Sequence, residues 1–331
     1  MEKVRIGYHA SHEQFKPSEL LRLVRQAEKA GFTESLSSDH YFPWSEAQGE
    51  SGFAWSWLGA AMQATSLGFG IVNAPGQRYH PAIIAQAVAT LCEMNPSRFW
   101  IAVGSGQFLN EHINGEKWPL KSVRNERLKE SVDIMRALWR GEMVSHQGHI
   151  KISEAKLYTR PDYIPNVIGA ALTESTARWV GSWADGMITT SREPGELKKM
   201  INAFREGGGE NKPVYLKVQL SYHNTFDKAL AGAHEQWKNN VFPSALLSDI
   251  RAPEGFDAAG SMVKPEDVMS GVRVSDSTDQ HTEWLLKDIE AGVSHLYLHN
   301  VNTDQEQFIE AFGEKVLPVL LKNSVSANAH V

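Results

Sequence analysis

Short apolar segments alternate with longer segments of helical period along this chain, and no other feature limits its possible folds as strongly. Most of the apolar segments end in Gly, Ser, Asn or Asp. This alternation predicts a parallel sheet whose strands are joined by crossover helices. Eight such strands are predicted, over residues 4–10, 35–39, 69–74, 99–106, 166–171, 185–191, 214–222 and 295–301.

The segments between these strands repeat their apolar residues at helical spacing. In the first of them, apolar residues recur between positions 20 and 27, Ser18 offers a capping hydroxyl, and Gly31 stands where a C-terminal glycine belongs. This pattern predicts a helix between the first two strands. Five further helices are predicted on the outer layer, over 82–94, 128–139, 175–183, 195–205 and 283–292.

Eight parallel strands with interleaved helices predict a (β/α)8 TIM barrel, an α/β fold. An open dinucleotide-binding sheet would need a glycine-rich turn after the first strand, and residues 9–13 read His-Ala-Ser-His-Glu instead. Two connections, 107–125 and 224–280, are longer than ordinary loops and are predicted lids over the site. We therefore predict a single domain over residues 1–331.

Charge and cysteine content exclude several classes of protein. The net charge is −6 and no cluster of Lys and Arg occurs, so nucleic acid is not an expected partner. The single cysteine, Cys92, excludes a disulfide framework within the chain, and its mid-helix position predicts core packing. No apolar run approaches the roughly 18 residues of a membrane span, and no signal peptide is recognisable. We expect a cytoplasmic protein that does not bind a membrane.

The polar residues that close the predicted strands are the candidate site, because a TIM barrel carries its active site at the carboxyl ends of its strands. Asp39 and His40 adjoin Trp44, which suits proton transfer beside a planar ligand. His40 in a purely structural hydrogen bond is the competing interpretation. Ser105 and Gly106 allow close approach of backbone to a ligand, although such triplets are also common in turns.

The segment from Gly169 to Ser175 joins a strand to the start of a helix, where free backbone N–H groups favour a phosphate. A plain N-cap at Thr173 explains the same residues equally well. A metal-dependent TIM-barrel hydrolase is a remote alternative built on His9, His12, Asp39, His40 and His80. Because residues 9 and 12 span a strand-to-loop bend rather than one helical face, we predict no metal site.

Five motifs, in order along the chain, carry a family resemblance. They are Gly-Tyr-His-Ala-Ser-His-Glu-Gln-Phe at 7–15, Ser-Asp-His-Tyr-Phe-Pro-Trp at 38–44, Arg-Tyr-His-Pro-Ala-Ile-Ile-Ala-Gln-Ala at 78–87, Gly-Ser-Gly-Gln-Phe-Leu-Asn-Glu at 104–111 and Arg-Leu-Lys-Glu-Ser-Val at 127–132. This series resembles the luciferase-like flavin monooxygenase superfamily, near its deazaflavin-dependent glucose-6-phosphate dehydrogenases. Residues 51–61, 73–81 and 110–119 are most similar to a sister group regarded as FMN-dependent.

The resemblance implies a flavin-dependent oxidoreductase that binds FMN, with the deazaflavin coenzyme F420 as the alternative. Hydride transfer to an organic substrate and monooxygenation with O₂ both stay open. By resemblance, His40 transfers the proton, Trp44 and Glu13 line the substrate side, and Gln107 stands at a further catalytic position. The residues expected to contact the cofactor are Asp39 at the flavin ring, Val72 and Asn73 in a bulged peptide with a cis bond as one option, Ser105 and Gly106 beside it, and Gly169, Ala170, Ala171, Thr173 and Ser175 around its phosphate.

Two departures from the relatives affect these expectations. Gln107 stands where relatives carry a glutamate, and an amide cannot exchange a proton as a carboxyl does, so a non-catalytic flavin-binding protein is a further alternative. The cations that would hold a sugar phosphate are mostly absent at 192–193, 257–258 and 271–272, apart from Arg192 and, with a small shift of alignment, Arg273. Glucose 6-phosphate is therefore not the expected substrate. The expected partners are a small-molecule substrate, a separate flavin reductase and a second copy of the chain in a homodimer.

Overall fold

Eight parallel strands close into a barrel in the computed structural model, which describes residues 4–326. The strands of this described part are β1 Arg5–Ala10, β2 Glu34–Ser38, β3 Gly68–Asn73, β4 Phe99–Val103, β5 Val144–Gln147, β6 Lys151–Ala155, β7 Val167–Ala170, β8 Gly186–Thr190, β9 Val214–Tyr222, β10 Arg273–Ser275 and β11 His295–Asn300. The barrel order is β1-β2-β3-β4-β7-β8-β9-β11, and β11 pairs with β1 to complete the ring. The predicted TIM barrel is confirmed.

Helices cover the outside of this ring, as the alternating sequence pattern predicts. They are α1 Pro17–Ala30, α2 Ala54–Ala64, α3 Pro81–Met94, α4 Phe108–Glu111, α5 Lys121–Trp139, α6 Glu174–Gly181, α7 Pro194–Phe204, α8 Phe226–Trp237, α9 Ser244–Leu247, α10 Pro253–Gly260, α11 Thr278–Glu290, α12 Gln305–Ala311 and α13 Leu317–Ser326. α1 ends at Gly31 with φ of 102°, as predicted, but begins at Pro17 rather than at a Ser18 cap. All six predicted helices are present.

The floor of the barrel is a dry, aromatic core. Leu36, Trp100, Ile168, Tyr215 and Tyr297 are buried together inside the ring. Neighbouring strands make room for these rings with glycine, since a Cβ on Gly70 would lie 2.1 Å from Cζ2 of Trp100. The interior at this level is filled, so any ligand must enter above it, at the carboxyl ends of the strands.

Strand β9 pairs with β11 along one edge, at residues 215–220, and with two different strands along its other edge. Its residues 214–217 pair with β8 and close the barrel, whereas residues 220–222 pair with β10 instead. The hydrogen-bonded seam between β8 and β9 therefore stops at Lys217, and above that height β9 is joined to the segment inserted before β11.

The two long connections fold into ordered helical structure. Residues 108–114 form α4 and one turn of 3-10 helix, and the chain between β9 and β11 contains α8, α9, α10, β10 and α11. The two connections touch, because the Phe108 amide donates to the Ser248 carbonyl at 3.0 Å. Both share a buried apolar cluster over the barrel mouth, made of Trp44, Leu109, Ala229, Ala233, Trp237, Phe256, Val268, Val272, Val274 and Val301.

Two further predictions concern membrane-spanning helices and the single cysteine. Within residues 4–326, none of the helices is long and apolar enough to span a membrane. Cys92 is buried on α3, and burial raises the pKa of its thiol to about 12, so packing rather than reactivity describes it.

Candidate active site

Polar side chains gather at the carboxyl ends of the barrel strands, as the fold requires. The segment that follows β1 and the residues that end β2 supply a buried pair, Glu13 and His40. His40 Nδ1 lies 2.6 Å from Oε1 of Glu13. His40 Nδ1 is itself buried, while 17% of the side chain is accessible, so the exposed ring edge is the one away from Glu13. That edge carries Nε2.

Three neighbours fix the Glu13 carboxylate. The Ser11 hydroxyl donates to its Oε2 at 2.9 Å and the Ser38 hydroxyl donates to its Oε1 at 2.7 Å. Burial raises the pKa of Glu13, but the charge and hydrogen bond of His40, together with the more distant charge of Lys217, hold that pKa well below its ordinary value. Glu13 is therefore an ionised carboxylate that orients the His40 ring.

Trp44 packs edge-on against His40, with ring centroids 5.0 Å apart. On its other side Trp44 contacts Phe256 of the inserted segment at 5.2 Å. The structure thus brings His40, Glu13 and Trp44 together at the mouth of the barrel. Their polar and apolar surfaces can hold a substrate beside a proton-transferring nitrogen.

Asp39 points into a second buried network, adjacent to the first. Its Oδ2 accepts from Trp55 Nε1 at 3.0 Å and from Asn73 Nδ2 at 2.7 Å, and its Oδ1 accepts from the Tyr79 hydroxyl at 3.2 Å. Arg78 Nη2 donates to the Asp39 carbonyl at 2.6 Å. Every oxygen of Asp39 is occupied by protein, so this residue shapes the site from behind.

Arg78 joins Asp39 to a third buried acid, Glu111. Its Nε lies 3.6 Å from Glu111 Oε1, its Nη2 lies 3.6 Å from Asp39 Oδ2, and its backbone N–H donates to Glu111 Oε2 at 2.9 Å. Burial raises the pKa of Glu111 in spite of the arginine. One buried cation is therefore shared by two buried carboxyl groups.

The Val72–Asn73 peptide differs from one option that the resemblance left open. Both residues continue β3 in regular parallel register with Ala102 and Val103, and residues 4–326 contain no cis peptide bond. The cis bond is therefore absent, because the strand stays hydrogen-bonded to its end. Asn73 Oδ1 is buried and has no hydrogen-bond partner among the described residues.

Ser105, Gly106 and Gln107 lie between β4 and α4, half-buried at the barrel mouth. Gly106 has a φ of +81°, and a Cβ there would lie 2.9 Å from Cγ of Glu111. This glycine is therefore required by the turn and by the packing of Glu111. Gln107 is the N-cap residue of α4, and its side chain makes no hydrogen bond to any described residue.

The segment predicted to hold a phosphate begins α6. Thr173 is the N-cap residue, and its hydroxyl accepts from the Thr176 amide at 3.3 Å. Ser175 is exposed and its hydroxyl lies 3.2 Å from that of Thr173. Gly169 and Ala170 end β7, and Ala171 is buried with its amide bonded to Ile188. The N-cap is thus present, and a phosphate at this helix start stays a prediction.

The residues of the metal alternative do not converge. His80 caps α3 and its Nε2 lies 3.0 Å from the Lys151 carbonyl, outside the barrel mouth. His12 Nε2 lies 3.2 Å from the Ser37 hydroxyl. Within the described part of the chain, no group of three or more His, Cys, Asp or Glu side chains is placed to hold a metal ion.

The two arginines considered for a sugar phosphate are occupied by the protein. Arg273 forms a bidentate pair with the buried Asp288, at 2.5 Å and 2.9 Å. Arg192 donates to the Thr189 hydroxyl at 2.9 Å. Asp257, at another of these positions, adds a negative charge and binds Ser45 at 2.7 Å. This end of the mouth does not offer the cluster of free cations that a phosphate dianion needs.

Sequence reasoning missed Lys217, the one charged residue in the seventh barrel strand, β9. It lies on β9 between the inward-facing Tyr215 and Gln219, beside His9 and His299 of the neighbouring strands. A lysine within an apolar barrel strand is the signal that could have found it, since charged residues are rarely placed inside a barrel without a reason.

Comparison with known proteins agrees with this architecture. The sequence pattern of the family described as luciferase-like monooxygenase matches residues 3–295. An F420-dependent glucose-6-phosphate dehydrogenase of Microbacterium testaceum is 36% identical, over 96% of this chain and 98% of the relative. The corresponding enzyme of Nakamurella multipartita is 35% identical, over 96% of each chain.

Two solved structures share the fold. An F420-dependent secondary alcohol dehydrogenase, in complex with an F420-acetone adduct, superposes with a TM-score of 0.90 at 30% identity, covering 96% of this chain and 99% of the other. The F420-dependent tetrahydromethanopterin reductase of Methanopyrus kandleri has a TM-score of 0.77 at 20% identity, over 96% of this chain and 99% of that one, and shows the fold alone.

Proposed function

The chain belongs to the luciferase-like monooxygenase family, and from this premise we propose that it is a deazaflavin-dependent dehydrogenase that oxidises a hydroxyl group of a small molecule. The relatives of at least 30% identity described above are named as F420-dependent dehydrogenases, and each is matched over nearly its whole length. The expected FMN and monooxygenation gain no such support. The deazaflavin alternative therefore replaces FMN as the favoured cofactor.

The residues around Asn73 fit a flat ring that carries N–H groups. Asn73 Oδ1 is a buried acceptor with no partner in residues 4–326, and an unsatisfied buried polar atom is costly. The walls beside it are small, since a Cβ on Gly104 would lie 3.5 Å from the Cβ of Ala170. Ser105 and Gly106 would border the ring, and the hydroxyls of Thr173 and Ser175 would face its phosphate. When bound, the deazaflavin supplies a two-electron acceptor that takes a hydride.

The contact between His40 and Glu13 is the observation that carries the proposal. The ionised Glu13 oxygen, 2.6 Å from Nδ1, favours the hydrogen on that nitrogen, so the neutral ring presents a lone pair at Nε2. Oxidation of an alcohol releases one proton from the hydroxyl while the hydride leaves the carbon. His40 Nε2 takes up that proton, and the ionised Glu13 stabilises the imidazolium that results.

The mouth of the barrel favours a small hydroxylated substrate other than glucose 6-phosphate. Trp44 and Phe256 restrict the space over His40, and Arg273 is neutralised by Asp288. A secondary alcohol, the substrate class named for one structural relative, fits these limits. Because oxidation of the alcohol itself reduces the deazaflavin, the flavin reductase expected for FMN chemistry is not required by this proposal.

The first experiment titrates the purified protein with the deazaflavin and with FMN, and then replaces His40. We expect the deazaflavin to bind and His40→Ala to lower turnover of secondary alcohols about 10²- to 10⁴-fold while cofactor binding stays intact. The control is His149→Ala, at an exposed histidine that contacts Glu126. Binding of FMN without the deazaflavin, or full turnover in His40→Ala, would contradict the proposal.

A further inference from the structure

Lys217 is a cation inside the barrel mouth that the fold leaves without a counter-ion. It faces inward from β9, and its ammonium lies 5.5 Å from the ring centroid of Trp237. None of the described carboxylate oxygens lies within ion-pairing distance of it. Glu13 is near enough to be felt electrostatically, but its two oxygens are already held by Ser11, Ser38 and His40.

The burial of Lys217 and its remaining exposure to solvent indicate where its ammonium group lies. Burial lowers the pKa of Lys217 to about 8, although the attraction of Glu13 raises it. The side chain is nevertheless only half-buried, in contrast to the fully buried Leu216 and Val218 beside it. Lys217 is therefore surrounded by protein but partly accessible, one inward-facing position above Tyr215 of the aromatic floor.

Two histidines beside Lys217 also carry unused polar atoms. The rings of His9 and His299 lie 4.4 Å apart, and both nitrogens of His9 and the Nδ1 of His299 are buried without a partner among residues 4–326. His299 Nε2 lies 3.0 Å from Gln14 Oε1, whose amide nitrogen already donates elsewhere, so this Nε2 carries the hydrogen. His299 Nδ1 is therefore an acceptor, suited to a ligand hydroxyl.

Electrostatics sets the charge of the ligand that suits this group. Burial and the charge of Lys217 lower the pKa of both His9 and His299 well below the ordinary value, so both rings are neutral and Lys217 is the one cation of the trio. Lys217 is thus the single cation that this group offers to an anion. A monoanion is the closer match, because a dianion would add a second negative charge to a barrel mouth that already contains the ionised Glu13.

We propose that Lys217 and His9 form a subsite for a monoanionic carboxylate beside the acceptor nitrogen of His299, so that the substrate is a small hydroxy acid whose hydroxyl group reaches His40. The ammonium of Lys217 pairs with the carboxylate, and His9 donates to it. This assignment rests on the proposed function for the position of the hydroxyl group, but carboxylate binding itself can be measured without any cofactor.

The first arm of the test measures binding to the protein without cofactor. Ligand-detected NMR follows acetate, its neutral analogue acetamide and inorganic phosphate on the wild type, on Lys217→Met and on the control Lys228→Met, an exposed lysine of α8. Acetate is expected to bind the wild type and the control at least tenfold more tightly than Lys217→Met, because a charge-assisted hydrogen bond is lost. Equal acetate binding by Lys217→Met overturns the subsite.

The second arm uses the loaded enzyme with 3-hydroxybutyrate and 2-butanol, which differ by the carboxylate. Lys217→Met is expected to lower kcat/KM for the acid about 10- to 100-fold and to change that for 2-butanol less than threefold. Equal losses for both substrates would assign Lys217 a structural role, as would a lowered melting temperature in Lys217→Met. If the protein binds no deazaflavin, the proposed function fails, while the acetate titration still decides the subsite.

Discussion

At the scale of single residues, the site depends on one buried arginine that two buried carboxyl groups share. Arg78 contacts Asp39 and Glu111, and all three side chains are at most 5% exposed. Removing the cation from such a group leaves carboxylates that neither water nor another cation can stabilise. The stability of the network is therefore concentrated in one arginine rather than spread over three residues.

Arg78→Met is expected to lower the free energy of unfolding by about 3–5 kcal/mol at neutral pH, because two buried carboxyl groups lose their shared cation. The loss should shrink as the pH falls toward 4.5, because burial favours the protonated form of Glu111 in the folded variant. Urea unfolding at several pH values measures both effects. A loss that is independent of pH would mean that Arg78 acts through packing alone.

Such residue-scale contacts set the limit of what the sequence could predict. His40 was recognisable because Asp39 and Trp44 accompany it within six positions. The bond from Glu13 to His40 and the approach of Lys217 to His9 join residues far apart in the chain, and only the closed ring of strands brings them together. No local pattern encodes such distances.

At the scale of elements, the turn between β4 and α4 shows how tightly a strand end is joined to its lid. Gly106 has a left-handed backbone and lies against Glu111, whereas Gly115, a few residues later, has a similar φ of +77° with open space around its Cβ position. A substitution at Gly115 therefore tests backbone strain alone, whereas one at Gly106 tests strain together with packing against Glu111.

Gly115→Ala is expected to cost about 1 kcal/mol of unfolding free energy, because alanine at positive φ is strained. Gly106→Ala adds a clash with Cγ of Glu111 and is expected to cost about 1–3 kcal/mol more. Chemical unfolding of both single variants measures the difference. Equal losses would show that Glu111 moves aside without penalty.

The eight barrel strands were predictable because each is a short apolar run between turn residues. α2 was not, since Ala54–Ala64 is apolar nearly all round and lacks a polar stripe that marks helical period. The β5–β6 hairpin, Val144–Gln147 with Lys151–Ala155, escaped because both strands are largely exposed and their register is irregular.

At the scale of the whole molecule, we propose that two copies pair through α2 and α3. A groove between these helices is lined by Trp55, Gly59, Ala87, Leu91 and Met94. Ile83 and Met94, which also line this groove, are about half exposed, as is Phe53 at the start of α2. Large apolar side chains exposed so close together often mark an interaction surface. A twofold axis would place the same groove of a second chain against them.

Ile83→Asp is expected to convert the dimer to a monomer, because it places a charge in the centre of this apolar face. Light scattering after size-exclusion chromatography measures the mass. Met143→Asp, at a methionine that is 64% exposed elsewhere, is the matched control and should remain dimeric. A monomeric wild type would contradict the proposed pairing.

The change of pairing partner along β9 bears on how proteins of this fold diversify. On one edge β9 pairs with β11, while on the other it changes partner from β8 to β10 above Lys217, so the segment from residue 224 to residue 272 joins the barrel at the upper end of β9. One contiguous stretch of the gene thus encodes most of the apolar cluster over the barrel mouth, apart from Trp44, Leu109, Val274 and Val301. Recombination could exchange that stretch and alter which molecules are accepted, while the register of the barrel and the turn at Gly106 stay as they are.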